Sequence, residues 1–173
     1  RTCTPSHAPR FVASPAPPRR YASRPVSSAL PLLPLLKQYF GFTSFRPHQE
    51  EIIRASLAGQ DTFALLPTGG GKSLCFQLPA LTRDGLTVVV SPLIALMKDQ
   101  VDSLQAAGIA ATFINSSLNK RERETRYTAV ARGDYCLLYV TPERVRKSEF
   151  LEVIAQRDIQ LRAVDEAHCI SEW

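Results

Sequence analysis

The spacing of apolar and polar residues changes rhythm along the chain, and each change marks an element. "LLPLLKQYFGF" predicts a short helix that stops near Gly41. "RPHQEEIIRASLAG" predicts a second, with Pro47 at its first position, glutamates in its first turn and Gly59 past its end. The compact apolar run 62–66, "TFALL", is bounded by turn-formers and reads as a buried strand, followed by a helix over "KSLCFQL" that Pro79 should kink or end. "LTVVV" (86–90) predicts the next strand. Pro92 then opens a helix in which Leu93, Met97, Val101 and Leu104 form an apolar stripe. A strand over 110–114 follows, then a charged helix over 120–132 started by a capping box of Asn119 and Glu122. A strand over 135–140, a helical region over about 142–156 and a strand over 161–164 complete the series. Strands alternating with helices predict an α/β fold, a parallel β-sheet with helices on both faces.

Ligands of such sheets bind where the strands end at their carboxyl side. The residues able to do chemistry fall there. "PTGGGKS" (67–73) follows the first expected strand, Ser91-Pro92 the second, Thr141-Pro142 the fourth and Asp165-Glu166 the fifth. A glycine triplet alone is a hinge as readily as a phosphate cradle. Strand, glycine loop, Lys-Ser and helix, in that order, suit a P-loop: Gly69, Gly70 and Gly71 let backbone N–H groups crowd a polyphosphate. Lys72 would reach the β/γ-phosphates and Ser73 would hold Mg²⁺. The strict P-loop pattern asks for glycine where this chain has Leu66. "VDEAH" (164–168) supplies the missing half, because Mg²⁺ takes oxygen ligands and Asp165 could bind it directly or through water. Glu166 could then orient and deprotonate a water attacking the γ-phosphate.

Charge sharpens the domain boundary. The net charge of +5 arises in residues 1–49, which hold seven Lys/Arg and no acid; the remainder balances to −2. Basicity of the whole chain is therefore no evidence that the folded part binds nucleic acid. Residues 1–29, rich in Pro, Arg and Ser and lacking periodicity, are expected to be a disordered tail; the same composition also describes an organellar transit segment. Residues 30–173 form the domain. No apolar run approaches 18 residues, so no membrane helix is expected. Cys3, Cys75, Cys136 and Cys169 are scattered without a C-x-x-C pair, which suits reduced thiols in an intracellular compartment.

Five segments in order resemble the RecQ family of ATP-dependent DNA helicases, over roughly residues 35–173. "FGFTSFRPHQEEII" (40–53) is similar to its motif 0, "LLPTGGGKSLCFQLPAL" (65–81) to motif I and "VVVSPLIALMKDQV" (88–101) to motif Ia. "YVTPER" (139–144) is similar to motif Ib, and "AVDEAHCISEW" (163–173) to motif II running into an aromatic-rich loop. Motif I in the wider helicase superfamily lacks the glycine that Leu66 replaces. The resemblance implies a RecA-like P-loop NTPase domain preceded by a short helical motif 0 region. It implies adenine recognition by Gln49, with Phe42 and Arg46 supporting the nucleotide. Thr68 joins Gly69 to Ser73 in the ATP site, and Lys72, Asp165 and Glu166 are the catalytic residues. It implies DNA contacts from Ser91, Pro92, Leu93, Lys98, Thr141, Arg144 and Trp173, and coupling of ATP state to DNA through His168. The cofactors implied are ATP and Mg²⁺, and the partners are single-stranded or duplex DNA.

The same resemblance places a second RecA-like domain, carrying an arginine finger, beyond Trp173. These 173 residues are accordingly expected to bind ATP but not to unwind DNA. The whole protein is expected to be a 3′-to-5′ DNA helicase of recombination and repair, cytoplasmic in a bacterium or nuclear in a eukaryote. Two rivals stand beside it. An RNA helicase of the wider DEAD/DEAH group is disfavoured by "DEAHCISEW" and "FRPHQEEII". A non-catalytic nucleotide-gated module is disfavoured by the joint presence of Lys72, Asp165 and Glu166.

Overall fold

The computed structural model describes residues 31–67 and 69–168. The expected tail, Thr68 and the segment 169–173 with Trp173 lie outside the described residues. Four strands, β1 (Leu86–Val90), β2 (Ala111–Ile114), β3 (Leu137–Val140) and β4 (Ile159–Val164), form one sheet in the order β2-β3-β1-β4. Every pairing is parallel, with Val88 opposite Leu138 and Arg162, and Thr112 also opposite Leu138. Parallel strands need crossover connections, and here the crossovers are helices.

Alternation along the strands divides the core in two. Val89, Phe113, Leu137 and Tyr139 pack against Met97, Val101 and Leu104 of α4 (Ile94–Ala106). Val88, Ile114, Leu138 and Val140 pack on the other face, against Tyr127 and Val130 of α5 (Lys120–Arg132) and Phe150 of α7 (Ser148–Ile154). Both faces are covered, so the strands read as continuous apolar runs. A third cluster joins α1 (Leu32–Phe40) and α2 (Gln49–Leu57) to α3 (Leu74–Gln77) through Leu36, Ile53, Leu74 and Leu78. Each such side chain, fully buried, contributes about 1.5–3 kcal/mol. That cluster holds the motif 0 region against the segment following the glycine loop.

Local signals met their structure where the chemistry was local. Gly41 ends α1 in the left-handed conformation, with its N–H donating to the Lys37 carbonyl. Asn119 and Glu122 form the reciprocal capping box at α5, with distances of 2.9 and 3.0 Å. Pro79 follows α3 and begins a single 3-10 turn, as a residue without an N–H must. The helical region after β3 is split into α6 (Pro142–Val145) and α7.

Three expectations are corrected. Residues 62–66 form no strand: the segment is irregular, and Phe63 and Leu65 are 84% and 88% exposed. A strand exists only by pairing, and none of the described strands lies beside this one. Pro47 is not the first residue of α2, because His48, at φ 68°, caps the helix and Gln49 begins it. Leu93 is not part of the buried stripe of α4; it is the exposed N-cap, and Pro92 precedes it. Most of the charged run 120–126 is exposed, and two of its arginines also pack. The Arg126 guanidinium lies 4.1 Å over the Phe113 ring and donates to the Phe113 carbonyl, and Arg123 lies 3.9 Å from Glu149 of α7.

One buried polar contact ties α3 to the sheet. The Gln77 side-chain amide donates to the Tyr139 hydroxyl at 2.8 Å, and Phe76 meets the Tyr139 ring edge-on at 6.3 Å. Tyr139→Phe keeps the ring but strips the amide of its acceptor. Urea denaturation should show a loss of about 1–3 kcal/mol, the size of a buried donor left unpaired; unchanged stability would mean that Gln77 finds another partner.

Candidate active site

The glycine loop is built by two left-handed residues and one tight turn. Gly69 and Gly71 have φ of 76° and 77°, a region that side chains other than glycine's rarely adopt. Between them the Gly70 N–H donates to the Pro67 carbonyl at 2.9 Å, and a Cβ at Gly70 would lie 2.8 Å from that oxygen. The carbonyls of Gly71, Lys72 and Ser73 then accept from Leu74, Cys75 and Gln77, which carries the chain into α3. First-turn amides have no helical carbonyl to bond, so those preceding α3 remain for a ligand.

Motif 0 tethers this loop directly. The buried Gln49 side chain accepts from the Arg46 N–H at 2.8 Å and donates to the Gly71 carbonyl at 3.1 Å. Arg46 donates to the Gly69 carbonyl. Both ends of the Gln49 amide are therefore occupied by the protein, and pairing with adenine would require it to release the loop. Phe42 is exposed and does not line the cavity formed by the loop.

The acidic turn approaches from β4. The Asp165 N–H donates to the Val90 carbonyl at 2.9 Å, continuing the ladder one residue past the strand. Glu166 then takes φ 52° and its N–H donates back to Asp165 Oδ1 at 3.1 Å. This reversal sends the two carboxylates into one space. Asp165 is only 7% exposed. Burial, and next the charge of Glu166, push its carboxyl above the ordinary carboxylate range, opposed by the hydrogen bond from Glu166 and by Lys72. Glu166 Oε1 lies 4.0 Å from Lys72 Nζ, and its other oxygen lies 3.3 Å from Nδ1 of the exposed His168.

Lys72, Ser73, Asp165 and Glu166 thus line one cavity of about 350 Å³, together with Arg46, Gly69, Gly70 and Gly71. Its donor set, a hydroxyl and two carboxylates opposite a lysine and a glycine-rich backbone, fits a divalent cation carried by a polyphosphate. Two lining residues escaped the sequence reading, Leu96 and Gln100 of α4. Their i, i+4 spacing put them on one helix face, but only the placement of α4 after β1 turns that face toward the cavity.

The residues expected to touch DNA divide by exposure. Ser91 and Thr141 are each 1% exposed, and their hydroxyls are buried without hydrogen-bond partners, out of reach of a backbone phosphate in this structure. Pro92 and Arg144 are half-buried, and Leu93 is exposed. Lys98 is exposed and pairs with Asp102 at 2.5 Å. It borders a second hollow of about 250 Å³ formed with Phe113 and Asn115. Cys75, in the core beside the loop, has its thiol pushed up to about 11 by burial and is no nucleophile.

Comparison with known proteins shows the family to which the chain is similar. A family model described as DEAD/DEAH box helicase matches residues 46–173. The chain is 52% identical over 141 residues to the ATP-dependent DNA helicase RecQ of Haemophilus influenzae, covering 82% of this chain and 23% of that protein. It is 51% identical over 140 residues to the ATP-dependent DNA helicase RecQ of Bacillus subtilis, covering 80% and 24%. It is 43% identical over 146 residues to the ATP-dependent DNA helicase Q1 of Rattus norvegicus, again covering 80% and 24%. The chain therefore spans about a quarter of the length of these relatives.

A buried carboxyl raised by burial has a stability signature. The fold favours its neutral form more than the unfolded chain does, so Asp165 does not oppose folding below its unfolded pKa, and its cost grows as pH rises from there to its raised folded value. Asp165→Asn should therefore raise the melting temperature of the metal-free protein at neutral pH, and this advantage should fade toward pH 3. An Asn variant that melts lower at neutral pH would contradict that electrostatic picture.

Proposed function

Because the chain belongs to the DEAD/DEAH box helicase family, we propose that it is the ATP-binding part of a RecQ-type motor that couples ATP hydrolysis to 3′-to-5′ unwinding of DNA. The observation that carries the reading is the single cavity in which Lys72 and Glu166 face each other at 4.0 Å. In it, the loop amides and Lys72 bind and orient the phosphates. Ser73 and Asp165 would hold Mg²⁺, which would offset the negative charge of the polyphosphate. Glu166 holds the attacking water and takes its proton. His168, in contact with Glu166 and open to solvent, is placed to pass the state of that carboxylate to whatever packs outside.

DNA contact, on this reading, falls to Leu93, Lys98 and Arg144 at the carboxyl edge of β1 and β3, where cationic and backbone groups suit sequence-independent tracking of one strand. The buried Ser91 and Thr141 support those loops from beneath. A second RecA-like domain would complete the motor with an arginine finger, a group worth on the order of 10³–10⁵ in rate. Such a protein would act where DNA is recombined and repaired, in the cytoplasm of a bacterium or the nucleus of a eukaryote.

Glu166→Gln in the full-length protein tests the hydrolytic assignment. DNA-stimulated turnover should fall by about 10²–10⁴-fold, the contribution of a positioned general base, while ATP affinity stays within a few-fold. Turnover equal to wild type would remove Glu166 from the chemistry.

A further inference from the structure

Motif 0 holds the carbonyls of the glycine loop, and the consequence differs from one peptide unit to the next. A trans peptide is planar with its C=O and N–H on opposite sides, so a held carbonyl sets the direction of the N–H. In the Gly69–Gly70 unit the carbonyl accepts from Arg46 and the N–H donates to the Pro67 carbonyl, so both ends are spent within the protein. In the Gly71–Lys72 unit the carbonyl accepts from the Leu74 N–H at 3.2 Å and from Nε2 of Gln49 at 3.1 Å. The same Nε2 reaches the Gly70 carbonyl at a longer 3.5 Å. The N–H groups at the far ends of these two units, those of Gly71 and Lys72, have no hydrogen-bond partner among the described residues. Gln49 is itself fixed, because its Oε1 accepts from the Arg46 N–H at 2.8 Å. It is buried and forms no part of the cavity wall, whereas Gly71 and Lys72 do. It also approaches so closely that a Cβ at Gly71 would collide with its Nε2.

We propose that Gln49 is a positioning residue for the phosphates: by holding the Gly71 carbonyl on the protein side, it aims the Lys72 N–H at a phosphate oxygen in the cavity. Phosphate oxygens accept hydrogen bonds, and unpartnered backbone N–H groups in succession complement them. Gln49 touches no phosphate on this account and acts through the backbone. The proposal rests on the nucleotide reading above. It gives motif 0 a task that a ligand without a base would also reveal.

The test uses the full-length protein, Mg²⁺ and inorganic tripolyphosphate, which carries no base. Calorimetry reads affinity, and ³¹P resonances read the ligand bound at saturation. Gln49→Met keeps the length of the side chain and removes the amide. Gln49→Asn keeps the amide but withdraws it by one methylene, and it carries the test if the Met variant does not fold. Either should weaken tripolyphosphate by about three- to tenfold, the size of one hydrogen bond, and shift the bound ³¹P signals toward those of free ligand. A variant that only loosened the fold would leave the signals of the saturated complex unmoved. Tripolyphosphate affinity equal to wild type, with ATP alone weakened, would make Gln49 a reader of the base and overturn the proposal. Weaker binding with unmoved ³¹P signals would also overturn it. Lys72→Ala separates this from the premise. If wild type binds no tripolyphosphate, or binds it equally without the Lys72 side chain, the nucleotide reading fails and the role of Gln49 falls with it.

Discussion

The rest of the site depends on the closeness of two loops that are far apart in sequence. Lys72 and Glu166 stand 4.0 Å apart across one cavity although 93 positions of chain separate Lys72 from Asp165. The parallel sheet places the acidic turn, and the contacts of Phe76 and Gln77 with Tyr139 hold the helix after the glycine loop against that sheet. Parallel pairing aligns the carboxyl ends of β1, β3 and β4 on one edge, and the turns that leave them share that edge. Three separate apolar clusters hold the arrangement, one on each sheet face and one between motif 0 and the helix after the glycine loop. No single helix or strand could bring a lysine, a hydroxyl and two carboxylates together.

Electrostatics at this edge are unbalanced in the protein alone. Asp165 is buried beside a second carboxylate and is held above its usual pKa, with one lysine nearby. A site poised in this way gains more from a cation than a neutralised one would, because the desolvation of the carboxylates has already been met by folding. The loop opposite has the reverse character, with amides and a lysine and no acid of its own. The two halves suit the two ends of one ligand, a cation and its polyphosphate.

Much of this was legible in sequence because its causes are local. A capping box, a terminal glycine and a glycine triplet before Lys-Ser each act within a few residues, and each stands where expected. What stayed hidden depends on neighbours. Residues 62–66 have the apolar character of a strand, yet a strand's hydrogen bonds belong to its partner, and the described sheet stops at β4. Arg126 belongs to a charged run, and only tertiary packing lays it over Phe113. The Gln49 amide, which family resemblance assigned to adenine, is bonded to the Gly71 carbonyl and the Arg46 N–H. Gln100 carried no motif that set it apart from an ordinary helix glutamine, and its place in the cavity wall comes from the direction in which α4 leaves the sheet.

The central claim is spatial: one metal-bound triphosphate is held jointly by the glycine loop and the acidic turn. Replacing Mg²⁺ with paramagnetic Mn²⁺ in the presence of a non-hydrolysable ATP analogue measures this directly, through broadening of backbone amide resonances in the ¹⁵N-labelled protein. The account predicts that amides of residues 69–73 and of residues 165–168 broaden together, and that neither group broadens when Mn²⁺ is added without nucleotide at the same low concentration. Broadening of the glycine loop with sharp signals from the acidic turn would contradict it.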